Sequence, residues 1–141
     1  IGPMAETLKN LGSQRALLVN GSDGFDELTT TGVSYVPELN NNKIKTYEIN
    51  PEDLGVKLSN FEDLIGGSPK HNAKKIINLL DGEKSPYRDI VLLNSAAALY
   101  VDGKVENLKD GISLSEYSID NGKAKIALKN LIRVSNSWKI F

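Results

Sequence analysis

Several kinds of residue are absent or scarce in this sequence, and each absence excludes a class of protein. None of the 141 residues is cysteine, so disulfide scaffolds, thiolate nucleophiles and cysteine-ligated zinc are excluded. His71 is the single histidine, which excludes a multi-histidine metal site. The 17 Lys and Arg nearly balance the 18 Asp and Glu, so a strongly basic nucleic-acid-binding protein is disfavoured.

The sequence also lacks the signals that direct a chain to a membrane. Its longest apolar segment, residues 90–101, is interrupted by Asn94 and Ser95 and is shorter than the ~20 residues that a bilayer requires. The N-terminus does not carry a basic run followed by an apolar stretch, as a signal peptide would. We therefore expect no membrane association and a cytoplasmic location. The chain begins at Ile1 and its only methionine is Met4, so we also expect a processed product or a fragment.

Apolar patterning in the first half predicts strands. The short apolar run 16–19 follows a predicted helix and is typical of a strand buried on both faces of a parallel sheet. This run ends at Asn20-Gly21-Ser22-Asp23-Gly24, which predicts a turn. Residues 33–39 and 44–49 are predicted to form a hairpin around the polar turn Asn40-Asn41-Asn42. Pro37 lacks a backbone N–H and is expected to place the first hairpin strand at a sheet edge.

The second half is predicted to be helical. Two Ser-Pro pairs, at 68–69 and 85–86, combine an N-cap residue with proline at the first helical position. The helix that the second pair opens is apolar nearly all round, so we expect it to be the buried central helix. Asn107 can cap a third helix, and residues 124–131 indicate a fourth. No partner is predicted for residues 135–141. The resulting fold class is α/β.

The best candidate for chemistry is the acidic loop Asp23-Gly24-Phe25-Asp26-Glu27. It follows the predicted parallel strand, and open α/β sheets bind ligands at the carboxyl ends of their strands. Adjacent carboxylates suit Mg²⁺, which binds through one or two carboxylates together with substrate phosphates. The spacing does not match a calcium EF-hand loop. The alternative is an acidic turn that only contacts solvent.

Three other features permit a functional and a structural interpretation. Gly66-Gly67-Ser68 could cradle an anion at a helix N-terminus, but a turn followed by an N-cap is the simpler interpretation. His71 is expected to face solvent. Asn94 lies in an apolar helix, and buried amides need hydrogen-bond partners, so we expect it to bridge to nearby backbone.

A small basic cluster consists of Lys70, Lys74 and Lys75. A solvated helix face explains it, because no aromatic residues interleave with the lysines to stack on bases.

These features belong to a longer pattern of segments: MAETLKNLGS at 4–13, RALLVNG at 15–21, DGFDEL at 23–28, PEDLG at 51–55, GG at 66–67, NA at 72–73 and RDIVLLNSAAALY at 88–100. With them the sequence resembles the C-terminal part of anthranilate phosphoribosyltransferase, from about residue 1 to residue 134. The resemblance implies a nucleoside phosphorylase/phosphoribosyltransferase-type α/β domain with a mainly parallel sheet flanked by helices, and a β-hairpin.

The resemblance also implies an activity. Members of this family join anthranilate to phosphoribosyl diphosphate and release diphosphate, a step of tryptophan biosynthesis. The anthranilate amine attacks the anomeric carbon as the C–O bond to diphosphate breaks. The family's adjacent Asp-Glu pair looks like Asp26 and Glu27 here and holds a Mg²⁺ that binds the diphosphate. No catalytic residue is implied within this chain.

The resemblance further implies that residues 1–141 are the C-terminal portion of the α/β domain. The N-terminal helical domain, the first part of the α/β domain and the other substrate-binding segments have no counterpart here. The whole protein is expected to be a homodimer through that helical domain, and the isolated chain to be inactive. Two alternatives stay open at this point: a related pyrimidine-nucleoside phosphorylase-type enzyme, and a family-like non-enzymatic protein that binds nucleic acid.

Overall fold

One helix and four strands make up the first half of the chain, and four helices make up most of the second half. The computed structural model describes residues 1–137, so residues 138–141, within the segment that lacks a predicted partner, lie outside it. In chain order the elements are α1 (Gly2–Asn10), β1 (Arg15–Leu17), β2 (Asn20–Gly21), β3 (Ser34–Asn40), β4 (Lys43–Ile49), two 3₁₀ turns (Pro51–Leu54 and Phe61–Leu64), α2 (Pro69–Leu80), α3 (Pro86–Val101), α4 (Leu108–Asp120) and α5 (Lys123–Ser137). The α/β class is confirmed.

The predicted hairpin is present as β3 and β4. Its turn residues Asn41 and Asn42 have φ values of 47° and 65°. Positive φ at both central residues is the requirement of a type I′ turn, whose twist matches that of the two strands. Residues 34–40 pair with residues 43–49 in one continuous antiparallel register.

The expectation of a mainly parallel sheet is wrong for the described strands. All three pairings, β1 with β3, β2 with β3 and β3 with β4, are antiparallel. The apolar run 16–19 does not discriminate between the two arrangements, because its composition fits a strand of either direction. Its predicted burial on both faces is wrong, since Leu18 is buried but Ala16, Leu17 and Val19 are only half-buried. The run is also interrupted: β1 ends at Leu17, and the predicted turn residues Asn20 and Gly21 pair with β3.

Pro37 lies in the central strand of this sheet, so its predicted edge position is wrong. β3 has β4 on one side and β1 followed by β2 on the other. The carbonyl of Pro37 accepts a hydrogen bond from the N–H of Leu18, which lies in the gap between β1 and β2. The missing N–H of Pro37 points to the same side, because a strand residue directs both backbone groups one way. The interrupted ladder therefore tolerates the proline.

Helix α3 is the centre of the core, as predicted. Leu93 is fully buried and Ala97 is 9% exposed, and both pack against Leu28, Val36 and Ile49 from the sheet side of the molecule. The opposite face of α3 contacts a second cluster, formed with residues of α2 and α4. All three N-cap predictions are confirmed, since Ser68 accepts from the N–H of His71, Ser85 from the N–H of Arg88 and Asn107 from the N–H of Asp110.

Helices α3 and α4 approach each other closely at two points. A Cβ atom at Gly111 would lie 2.8 Å from the Cβ and 2.9 Å from the Cα of Ala96, so the contact requires glycine. Near the other end, Arg88 is 1% exposed and its Nη2 lies 2.8 Å from Oδ1 of Asp120. These two contacts hold α3 against α4, so the position of α3 in the fold is well supported. Within the described residues no helix has the length and apolar character needed to cross a membrane.

We predict that Gly111→Ala destabilises the protein. The added methyl group meets the backbone of Ala96, and overpacking of this kind costs about 1–3 kcal/mol, which exceeds the gain of about 1 kcal/mol in helix propensity. Denaturant unfolding measures the difference. Gly2→Ala in α1 is the matched control, because nothing lies within 4 Å of its added Cβ. Equal stability of the two variants would contradict the packing argument.

Candidate functional site

Asp23, the first carboxylate of the acidic loop, is turned toward the loop's own backbone and hydroxyl groups. Its Oδ1 accepts from the N–H of Phe25 at 3.0 Å. Its Oδ2 accepts from the hydroxyl of Thr31 at 2.6 Å and from the hydroxyl of Thr29. Burial alone would raise the pKa of Asp23, but these hydrogen bonds outweigh it and the pKa lies below its ordinary value. Asp23 is therefore an anchor of the loop.

Phe25 is held on three sides. Asp23 accepts from its N–H, and its carbonyl accepts from the N–H of Gly21 at 2.9 Å. Its ring packs against Phe61, with the ring centroids 5.2 Å apart. Gly21 is required at this point, because a Cβ there would collide with the side chains of Asp23 and Thr29. These contacts fix the start of the acidic segment.

Leu28 is held from the other side by Asn94 of α3. The N–H of Leu28 donates to Asn94 Oδ1 at 2.9 Å, and Asn94 Nδ2 donates to the carbonyl of Leu28 at 2.8 Å. Asn94 Nδ2 also donates to the carbonyl of Ile90 at 3.0 Å, one turn back along the helix. The prediction that Asn94 bridges to backbone is confirmed. Its partner is a loop residue far away in the sequence.

Asp26 and Glu27 lie between these two anchors, and both are exposed. They border a cleft of about 410 Å³. The cleft is lined by Phe25, Asp26, Glu27, Leu64, Tyr87, Ile90 and Val91. Apart from the two carboxylates its described lining is uncharged, so the charges that border the cleft are negative and suit a cation.

The donor set limits which cation could bind. Among residues 1–137 no group of three or more His, Cys, Asp or Glu side chains is placed to hold a metal ion. Two adjacent carboxylates are too few for a Ca²⁺ or Zn²⁺ site built from protein ligands alone. They fit Mg²⁺, which keeps several waters and takes further oxygens from substrate phosphates.

The other candidates have structural roles. Gly67 donates its N–H to Asn72 Oδ1 at 2.7 Å, and Ser68 caps α2, so this segment is a turn and an N-cap as predicted. His71 is exposed. The three lysines of the basic cluster are also exposed on α2, in agreement with a solvated helix face.

A second polar cluster was missed by sequence reasoning. The carboxylate of Glu38 accepts from the hydroxyl groups of Tyr47 and Tyr100, each at 2.9 Å, and the guanidinium of Arg15 lies 4.8 Å from the centroid of the Tyr100 ring. Burial raises the pKa of both tyrosines most, and the hydrogen bond to Glu38 raises it further. The cluster ties the hairpin to α3. The hairpin register places Tyr47 diagonally opposite Glu38, so the sequence could have indicated this pair. Tyr100 lies on α3, far away in the sequence, and no local pattern indicates its contact with Glu38.

Comparison with known proteins agrees with this architecture. Residues 1–125 match the model of a family described as "Glycosyl transferase family, a/b domain". The chain therefore belongs to this glycosyl transferase family.

Within that class, two similar proteins carry the same name. The anthranilate phosphoribosyltransferase of Parvibaculum lavamentivorans is 53% identical over 136 residues, which are 96% of this chain and 40% of that protein. The crystal structure of the anthranilate phosphoribosyltransferase of Thermus thermophilus matches with a TM-score of 0.83 at 38% identity, over 92% of this chain and 38% of that one. The resemblance noted from the sequence is confirmed.

A more distant structure contains a metal. A variant of the anthranilate phosphoribosyltransferase of Saccharomyces cerevisiae with Mg bound matches with a TM-score of 0.86 at 25% identity, over 97% of this chain and 40% of that one. In all three comparisons the chain spans about two-fifths of the length of its relative.

We predict that Asp23→Asn destabilises the protein in a pH-dependent way. The variant replaces a charged acceptor of three hydrogen bonds, and bonds to charged groups contribute about 1.5–3 kcal/mol. The pKa of Asp23 is lowered in the folded protein, so its charge stabilises the fold. This contribution to the free energy of unfolding is fully present above the ordinary aspartate pKa of about 3.9. It is lost as the pH falls through the lower folded-state pKa. Urea unfolding at pH 7 and pH 3 measures this.

The expected result is a large stability difference between wild type and Asp23→Asn at pH 7 and a smaller one at pH 3. Asp102→Asn, at an exposed carboxylate with its oxygen 3.7 Å from Lys104 Nζ, is the control and should change stability little at either pH. The same loss for Asp23→Asn at both pH values would show that its charge is not what stabilises the loop.

Proposed function

We propose that this chain is the C-terminal portion of an anthranilate phosphoribosyltransferase. The reaction is phosphoribosyl transfer from phosphoribosyl diphosphate to anthranilate in tryptophan biosynthesis, giving N-(5-phosphoribosyl)anthranilate and diphosphate. The observation that carries the proposal is the exposed pair Asp26 and Glu27, held on anchored backbone in a cleft whose other described lining residues are uncharged, in a chain 53% identical to an enzyme named for this reaction.

The chemistry matches what the site offers. A C–N bond forms between the anthranilate amine and the anomeric carbon, the C–O bond to diphosphate breaks, and the amine loses a proton. The departing diphosphate is a weak base, so the reaction requires stabilisation of negative charge more than a strong general acid. Asp26 and Glu27 would hold Mg²⁺, which when bound would supply positive charge beside the diphosphate. The Mg-bound yeast relative supports this choice of ion.

The same proposal assigns the chain its place in a larger protein. The chain spans about 40% of its relative, and an open hollow of about 620 Å³ lies beside β1 and α3. We place the rest of the α/β domain against that hollow and an N-terminal helical domain beyond it. A homodimeric whole protein in the cytoplasm belongs to this proposal. The phosphorylase-type and nucleic-acid-binding alternatives are not favoured by the named relatives.

We predict that Asp26→Asn and Glu27→Gln, made in the full-length protein, impair the use of Mg²⁺ and diphosphate without impairing folding. Loss of charge stabilisation of this kind costs about 10²-fold in kcat, whereas exposed substitutions change stability by only about 0.5 kcal/mol. Steady-state kinetics across a Mg²⁺ titration, together with thermal unfolding, measure both effects.

The control for this experiment is Glu6→Gln, an exposed carboxylate on α1, which should leave both measurements unchanged. A large fall in melting temperature with unchanged Mg²⁺ dependence would refute the proposed role of the pair.

We also predict that the isolated 141-residue chain does not catalyse the transfer, because one carboxylate pair cannot orient two substrates. The assay follows anthranilate fluorescence in the presence of phosphoribosyl diphosphate and Mg²⁺. A fusion of this chain to the upstream portion of the Parvibaculum lavamentivorans relative is the positive control and should be active. Robust turnover by the isolated chain would contradict the prediction.

A further inference from the structure

We propose that Asn94 is a positioning residue for the carboxylate pair Asp26 and Glu27. Its side-chain amide holds the backbone at Leu28, and through that backbone it determines where the two carboxylates lie. The metal-binding role of the pair rests on the proposed function, whereas the positioning is a property of the chain alone.

Planarity of the peptide bond explains how Asn94 acts over this distance. The carbonyl of Glu27 and the N–H of Leu28 belong to one rigid plane. Asn94 Oδ1 accepts from that N–H at 2.9 Å, so the plane that contains the Cα of Glu27 is held by helix α3. A second bond, from Asn94 Nδ2 to the carbonyl of Leu28 at 2.8 Å, prevents rotation about the first.

The other end of the pair is held in the same manner. The carbonyl of Phe25 accepts from the N–H of Gly21 at 2.9 Å and shares its peptide plane with the N–H of Asp26. Both planes that flank the pair are therefore fixed, one by the turn at Gly21 and one by Asn94. Within residues 1–137 the peptide between Asp26 and Glu27 makes no backbone hydrogen bond, so the separation of the two carboxylates depends on both anchors.

Asn94 does not contribute to the cleft directly. Ile90 and Val91 of α3 line the acidic cleft, whereas Asn94 lies outside its described lining. Its Oδ1 and Nδ2 are occupied by backbone of Leu28 and Ile90. Removing the amide would leave the buried backbone groups of Leu28 without their partner, and partners that orient metal-binding groups influence metal affinity by about 10- to 100-fold.

The test uses the 141-residue chain labelled with ¹⁵N and compares wild type with Asn94→Ala and Asn94→Asp. The first measurement, without metal, is the heteronuclear NOE of the Asp26 and Glu27 amides, which reports their fast motion. The second is the Mn²⁺ concentration that halves the intensity of those signals by paramagnetic broadening. Asn94→Ala should lower both NOE values and raise the Mn²⁺ concentration about tenfold. Asn94→Asp, which keeps the acceptor for Leu28, should give an intermediate result.

Leu79→Ala is the matched control for loss of stability. Leu79 is 5% exposed and lies in the cluster shared by α2, α3 and α4, so its truncation should destabilise the fold but leave both loop readouts at wild-type values. Unchanged NOE values in Asn94→Ala would overturn the proposal, as would an equal change in Leu79→Ala. If Asp26→Asn leaves Mn²⁺ broadening unaltered, the metal assignment fails, and the metal-free NOE values still decide the role of Asn94.

Discussion

The paired hydrogen bonds between Asn94 and the backbone of Leu28 join the two halves of this molecule. They link residues 66 positions apart in the sequence. On one side is α3, the most buried helix, which is supported by the close contact at Gly111. On the other side is the loop that carries every candidate ligand. Since Leu28 is also fully buried in the main core cluster, the loop is attached both by its backbone and by its side chain.

This attachment explains why neighbouring carboxylates have opposite roles. Asp23 directs its charge to internal hydrogen bonds that hold the loop in shape, and a lowered pKa keeps it ionised. Asp26 and Glu27 make no such contribution and remain exposed to the cleft. A site for a hydrated cation needs both kinds of residue, because exposed ligands hold their geometry only when the backbone beneath them is fixed.

Residues close together in the sequence are enough to predict those elements that short-range interactions determine. The Ser-Pro helix starts, the asparagine turn of the hairpin and the apolar character of α3 are all predicted and confirmed, since caps, turns and periodicity act within a few residues. The predictions for strand direction and for the place of Pro37 are wrong, because both depend on which strands become neighbours. Leu64, Tyr87 and the Glu38–Tyr100 contact are not predicted, because separate elements bring them together.

The sequence by itself determined the class of fold, the family and the residue types available for chemistry. It contains no thiol and a single histidine, which leaves carboxylates as the main candidate ligands, and the acidic segment at 23–27 is where they cluster. Only the tertiary structure decided which of them face solvent and which hold the loop. The physical reason is that a carboxylate's role depends on its hydrogen-bond donors, and those donors come from backbone and hydroxyl groups whose positions are set by folding.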